Sequence, residues 1–373
     1  MLSRKRSLML RRNRSIWLAG IVAAAISSAA AQGTFTGLGQ PDTYVSGISA
    51  DGTVIVGTYS TMGPEFRWTA AGGVVNIGGI GALSVISRDG RTIVTDAKDA
   101  QGMTSAAIWM GGTTWKNLGG LPNGTASDNT LSNVGAVSGD GSVVVGLAWV
   151  SKGSHTFRWD AQNGMVDLGS LQASSSRANA VSADGNLVAG WDAAPGGGGS
   201  LGPYDYWRGA IWWQGLERLV NPYGFIGQVR AINDTGSVLV GRGTPLAPRH
   251  AYRYTAWDGA ITDLGALKRG TLPSTQEEED TSYALGVSDD GSVVVGRSGW
   301  RPPLDAFIYT DATGMLKISD YLTSKGVVIP TGWVLLEAYA ITPDGRTVAG
   351  TGTNPAGRVE GWVATLPGVT LPN

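Results

Sequence analysis

Short runs of apolar residues recur along the chain, each preceded by a small polar cluster, as in Ser138-Gly139-Asp140-Gly141-Ser142-Val143-Val144-Val145-Gly146. The runs are rich in valine, do not alternate with polar residues and are too short for helices. They read as strands buried on both faces. The phrase Ser-x-Asp-Gly-x-x-Val-Val-Gly, with variations, occurs seven times, beginning at Ser49, Ser87, Ser138, Ser182, Asn233, Ser288 and Thr342. Its turn glycines are 38, 51, 44, 51, 55 and 54 residues apart, a spacing that suits four-stranded propeller blades. Asp-Gly supplies the positive φ angles of a tight hairpin turn, and the Ser can bond back to the turn backbone.

Two further phrases follow each turn. One holds an aromatic pair, such as Phe66-Arg67-Trp68, Phe157-Arg158-Trp159, Tyr252-Arg253-Tyr254 or Phe307-Ile308-Tyr309. The other reads Asp-Leu-Gly, as in Asp167-Leu168-Gly169 and Asp263-Leu264-Gly265; the second unit has Asn117-Leu118-Gly119 and the fourth lacks it. Each unit therefore predicts four strands: A ending at the Ser, B the valine run, C the aromatic pair and D the Asp-Leu-Gly segment. Phe35–Gly39 matches strand D with no A, B or C ahead of it, and Gly361–Leu366 matches strand C with no D behind it. The first strand can thus complete the last blade and remove exposed sheet edges. The expected fold is all-β: a seven-bladed β-propeller of four-stranded blades, with the N-terminal strand closing the last blade. An open β array or paired sandwiches are the alternatives.

Composition narrows the picture. The 373 residues include 57 glycines and 14 tryptophans, only 15% are charged, and none is cysteine. Tight turns between apolar strands are expected; disulfides, thiol nucleophiles and Cys-based zinc sites are excluded. Two histidines leave little for a multi-histidine metal site, and neither a metal nor a cofactor is expected. Residues 1–31 carry Arg4, Lys5, Arg6, Arg11, Arg12 and Arg14 and no acid. The apolar run Ile16–Ile26 and the Ala29-Ala30-Ala31 site follow, which is the pattern of a secretory signal peptide cleaved after Ala31. Its eleven apolar residues are too few to span a bilayer comfortably. Arg11-Arg12 raises twin-arginine export, but Asn13-Arg14 after it favours general secretion. Residues 32–373 are expected to form one domain, secreted, periplasmic or at the cell surface. No transmembrane segment is expected after signal removal, and the expected state is a monomer. That domain holds 22 basic against 29 acidic residues, which argues against a nucleic-acid partner.

The phrases resemble the HAF-type extracellular repeat family, named for a His-Ala-Phe triplet. Here it stands as His155-Thr156-Phe157, His250-Ala251-Tyr252 and Asp305-Ala306-Phe307, with looser versions at Pro64-Glu65-Phe66 and Glu360-Gly361-Trp362. The match covers nearly all of residues 33–367. The resemblance implies a bacterial exported protein and supplies no catalytic residues to carry over.

Each chemical motif has a bland reading that outweighs the functional one. The acidic turns offer one or two carboxylates each, too few for a calcium loop. The histidines sit at one repeat position, which favours a packing role. Glu277-Glu278-Glu279-Asp280 reads as a solvated loop, and Gly196–Gly199 lacks the Lys-Ser/Thr of a phosphate loop. Topology places the A–B and C–D turns on one face of the ring and the long B–C and D–A connections on the other. Those inserts are Leu121–Leu131, Asp192–Arg208, Gly241–His250, Lys268–Ser282 and Ser298–Leu304. Tyr204, Tyr206, Trp207, Trp300 and Arg301 are the candidate ligand-binding residues, since loops on a rigid scaffold carry binding sites and exposed aromatics suit sugar rings or protein partners. The expected function is a non-enzymatic binding or surface-interaction propeller for an extracellular glycan or protein. The alternative is a carbohydrate-active hydrolase or lyase using carboxylates on the long-loop face.

Overall fold

The computed structural model describes residues 33–60, 63–81, 83–171, 175–193, 207–214, 216–220, 226–243, 249–256, 258–267, 281–299 and 302–366. Residues Gln32–Asn373 form one compact unit. It contains seven four-stranded antiparallel sheets, one per repeat. Blades 1 to 6 each run A-B-C-D in chain order, and blade 7 takes its fourth strand, Phe35–Pro41, from the N-terminal end of the domain. Phe35 pairs with Ala364 and Gly37 with Trp362, and the Phe35 ring packs on Trp333 and Trp362. The ring is closed as the repeat phase predicted.

The innermost strands are Tyr44–Ile48, Val85–Ile86, Ser132–Val137, Ser176–Val181, Ile226–Ile232, Ser282–Val287 and Val334–Ile341. Strand B is buried on both faces because blades stack face to face: Val143, Val144 and Val145 are 3%, 0% and 0% exposed. The glycine that ends this run in six of the seven blades has a steric cause. A Cβ at Gly146 would lie 2.0 Å from the Asn133 carbonyl oxygen of strand A and 2.9 Å from the ring of Phe157, its partner on strand C. The glycine lets strand A close in on one side and the aromatic ring fold over on the other. In blade 2, Thr95 stands at this position opposite Ala107, so the smaller partner makes room for the larger residue.

The Ser-x-Asp-Gly phrases are hydrogen-bonded turns. Ser138 Oγ donates to Asp140 (2.8 Å) and accepts from the Val143 amide (3.0 Å), while Asp140 also accepts from the Ser142 amide (2.9 Å). Five other turns repeat this pattern around Asp51, Asp89, Asp184, Asp290 and Asp344. In blade 5, Asn233 accepts from Val238 N in place of the Ser.

The outer strands are wired to each other and to the next blade. His155 and His250 bond Asp167 and Asp263 of the neighbouring Asp-Leu-Gly strand, each at 2.9 Å. Blade 6 reverses the polarity: Asp305 takes the histidine's place and pairs with Lys317 at 3.0 Å. These residues hold strand C to strand D. The Asp-Leu-Gly carbonyls are in turn capped by the following blade, where Ser176 and Ser282 donate to Gly169 O and Gly265 O at 2.6 and 2.5 Å.

Two elements depart from the sequence pattern. Blade 4 has a fourth strand, Leu216–Leu219, without the Asp-Leu-Gly phrase. The connection between blades 6 and 7 contains a helix, Ile318–Ser324, whose Ile318, Tyr321 and Leu322 join the core beneath it.

Candidate binding site at the mouth of the axial channel

The inner strands enclose a channel of about 210 Å³. Its shape follows from one irregularity repeated around the ring. In every blade except the second, the pairing of strand A with strand B slips by one residue, leaving Ser46, Gly135, Asn179, Arg230, Leu285 and Tyr339 as bulge positions. All six line the channel. A β-bulge re-aims the extra residue out of the pleat, and here it directs each toward the axis.

The two ends of the channel differ. At the turn end, the A–B turns converge and bond to one another. Ala50 N donates to Arg88 O (2.9 Å), Asp89 N to Gly139 O (3.2 Å), Gly139 N to Ala183 O (2.9 Å), and Ala183 N to Asp234 O (2.9 Å). Asp234 N continues to the Asp289 carboxylate (2.9 Å), and Asp289 N to Pro343 O (2.8 Å). Six of the seven junctions are joined in this way. The seventh, between blades 7 and 1, has Pro343 at the donor position, and proline has no N–H. Arg88 of blade 2 pairs with Asp234 of blade 5 across this end.

At the long-loop end, the wall is cationic on one side. Arg177 of blade 4 and Arg230 of blade 5 line the channel. Above them Tyr283 lies between Arg242 and Arg297, whose guanidinium carbons are 4.7 and 4.6 Å from its ring centre. Arg297 also pairs with Glu337. Asp96 faces Arg177 from blade 2, its two oxygens occupied by Asn133 Nδ2 and Val134 N at 2.8 Å each. Burial pushes the Asp96 carboxyl up, against the pull of those bonds and of Arg177. Burial likewise pulls the Arg177 guanidinium down, and the nearby charge of Arg230 adds to this. No Asp or Glu is among the described residues that line the channel.

Of the aromatic residues expected to touch a ligand, Trp207 begins strand C of blade 4 at the long-loop end. Its ring stacks on Trp191 with centroids 4.5 Å apart, so part of its apolar surface is spent on packing within the blade. Tyr204, Tyr206, Trp300 and Arg301 lie outside the described residues. The channel arginines were not singled out from sequence. For Arg230 the signal was available in the aligned repeats: three residues before the Ser of each phrase, apolar neighbours flank a position that reads Ser46, Ser84, Gly135, Asn179, Arg230, Leu285 or Tyr339. A position free to change character between repeats of one scaffold is not fixed by packing.

No protein-family model matches the chain, and no curated protein matches it either. Solved structures do. An oligogalacturonate lyase in complex with manganese shares 15% identity over 89% of this chain and 93% of its own, with a TM-score of 0.52. An oligogalacturonate lyase from Vibrio parahaemolyticus shares 13% over 89% and 93%, with 0.51. The β-propeller domain of the trilobed protease from Pyrococcus furiosus, which has an open velcro topology, shares 9% over 86% and 93%, with 0.53. The likeness is one of fold. At these identities it carries no residue of a site across. Among the described residues, no helix is long and apolar enough to cross a membrane.

Proposed function

We propose that the protein is an exported, non-enzymatic binding propeller that receives an extracellular glycan or protein partner on its long-loop face. The observation that supports this most is the asymmetry of the axial channel: bonded turns and the Arg88–Asp234 pair span one end, while arginines gather toward the long-loop face. Tyr204, Tyr206, Trp207, Trp300 and Arg301 are proposed to extend that surface. The basic, apolar and Ala-x-Ala pattern of residues 1–31 supports export. The hydrolase alternative needs a pair of carboxylates facing a common pocket, and no Asp or Glu is among the described residues that line the channel.

The cysteine-free chain makes the test clean. Gln101→Cys, on the B–C connection of blade 2, and Arg91→Cys, on a turn of the opposite face, are each coupled to a bulky polymer and applied to an array of acidic and neutral glycans. Binding lost only with the polymer at position 101 supports the proposal. Equal binding by both conjugates, or loss only with the polymer at 91, refutes the long-loop face as the docking side. Turnover of any arrayed glycan, read by mass spectrometry, would refute the non-enzymatic reading.

A further inference from the structure

Arg177 and Arg230 are costly residues for this architecture. A charged group taken into a protein wall is unfavourable unless paired and hydrogen-bonded, and these two also repel each other. The Arg177 guanidinium gives one bond, Nη2 to Val134 O at 3.3 Å, and faces Asp96, whose oxygens already serve Asn133 and Val134. Its Nε is buried without an acceptor. Arg230 is less satisfied still: its Nε is also buried without an acceptor, and no described residue takes a hydrogen bond from its guanidinium. The scaffold requires a cation at neither place: the bulge position of Arg230 is Ser46, Gly135, Asn179, Leu285 or Tyr339 in other blades, and the position of Arg177, two residues ahead of its blade's bulge, is Tyr44, Asn133, Gln228, Tyr283 or Glu337. Two guanidiniums with unused donors, facing one channel from adjacent blades, form a receptor for the forked oxygens of an anionic group. Tyr339 lines the same space, and Leu285 and Ile48 give it an apolar side. Its volume of about 210 Å³ far exceeds the roughly 10–15 Å³ that holds one water.

We propose that the axial channel binds a small organic oxyanion, a carboxylate or a phosphate ester, between Arg177 and Arg230. The proposal rests on the long-loop end being the open one, and it gives that face a chemistry. Arg242, Arg249 and Arg297 around Tyr283 raise the local concentration of anions at the approach, although the domain as a whole is acidic.

The test measures thermal shift and calorimetric binding of the intact domain with citrate, D-galacturonate, glucose 6-phosphate and inorganic phosphate at fixed ionic strength. Neutral D-galactose is the control. At least one anion should raise Tm in a saturable manner while galactose does not, and the carboxylate and phosphate arms identify the preferred group. Arg230→Met should weaken that binding at least about tenfold. Without anion, its Tm should equal or exceed that of the parent, because an unpaired charge has been removed. Arg177→Met should weaken binding similarly; if it does not fold, Arg230→Met carries the test alone. No shift or heat from any of the four anions would overturn the proposal. So would binding unchanged in Arg230→Met, or a marked fall in that variant's anion-free Tm, which would make Arg230 a structural residue. An unselective polymer block together with Arg230-dependent anion binding would sink the docking reading and leave this site standing.

Discussion

The two faces of the ring are built from the same seven repeats under opposite rules. On the turn face each repeat offers a near-identical Ser-x-Asp-Gly hairpin, and the hairpins bond to one another around the axis. On the long-loop face, the connections differ in length from blade to blade, and side chains of either charge stand at equivalent positions. The carboxylates follow the same division, except for Asp234 in the turn of blade 5, which burial pushes up. Hydrogen bonds from Ser49 and Ser182 lead in holding Asp51 and Asp184 below the ordinary value, and the Ser142 amide leads in doing so for Asp140. At the first residue of strand C in blade 1, burial pushes Glu65 up to about 8. One face is where the repeat satisfies itself, and the other is where it leaves groups to be satisfied.

Breaking the architecture common to both faces should have the largest effect. Deleting Gly33–Gly39 leaves blade 7 one strand short, uncovers Trp362 and opens the ring to edge pairing. Aggregation or a fall in Tm of more than ~10 °C is expected by calorimetry and light scattering; a stable monomer would show that closure contributes little. Gly296→Val drives a side chain into the Tyr283 carbonyl, 1.9 Å from the ideal Cβ. It should cost about 3 kcal/mol or more in chemical denaturation.

The pH dependence sharpens the contrast. Glu65 keeps its proton in the folded chain up to about 8, whereas an ordinary glutamate loses it near 4.5. Between those values the folded state binds more protons, so its stability is full below about 4.5 and falls as pH rises through 8. Asp51, Asp140 and Asp184 act in the opposite sense, adding stability that is lost only as pH drops below the ordinary aspartate value. Tm should therefore decline from pH 5 to pH 8, and Glu65→Gln should flatten that decline. A decline equally steep in the variant would show that Glu65 is ionised in the fold. Glu217, pushed up to about 9 chiefly by burial and then by its contact with Asp192, should leave a residual slope of the same sign. The smallest effect belongs to the one open junction of the turn face. Pro343→Ala supplies the missing N–H and stands to gain about 1 kcal/mol, partly offset by the freer unfolded chain.

The fold was legible because its main devices are local and repeated. Asp-Gly encodes the hairpin and the valine run a strand without a wet face. The phase difference between Phe35–Gly39 and Gly361–Leu366 encodes ring closure. The glycine after the valine run is visible in sequence, but its reason, the strand-A carbonyl and, as at Gly146, a strand-C ring on the other side, exists only once three strands are assembled. The helix at Ile318–Ser324 carried a faint signal, Ile318, Tyr321 and Leu322 at helical spacing, within a stretch that otherwise reads as a connection. The site was less legible. Trp207 could be picked out as an aromatic near a long insert, but its stacking on Trp191 could not. Arg177 and Arg230 come together only because strand A of two adjacent blades lines one axis. Nothing in either segment alone marks a channel.

The pairing of Phe35 with Ala364 fixes where the domain can be tethered. The first strand runs from the turn face toward the long-loop face, and the last strand, Val359–Thr365, ends on the turn face beside it. Both described ends of the chain, Gly33 and Leu366, therefore leave from the turn face. A linker, tag or solid support attached at either end would hold the propeller by its turn face. The cationic opening would then point outward, as the bowl of a cup does when the stem is held.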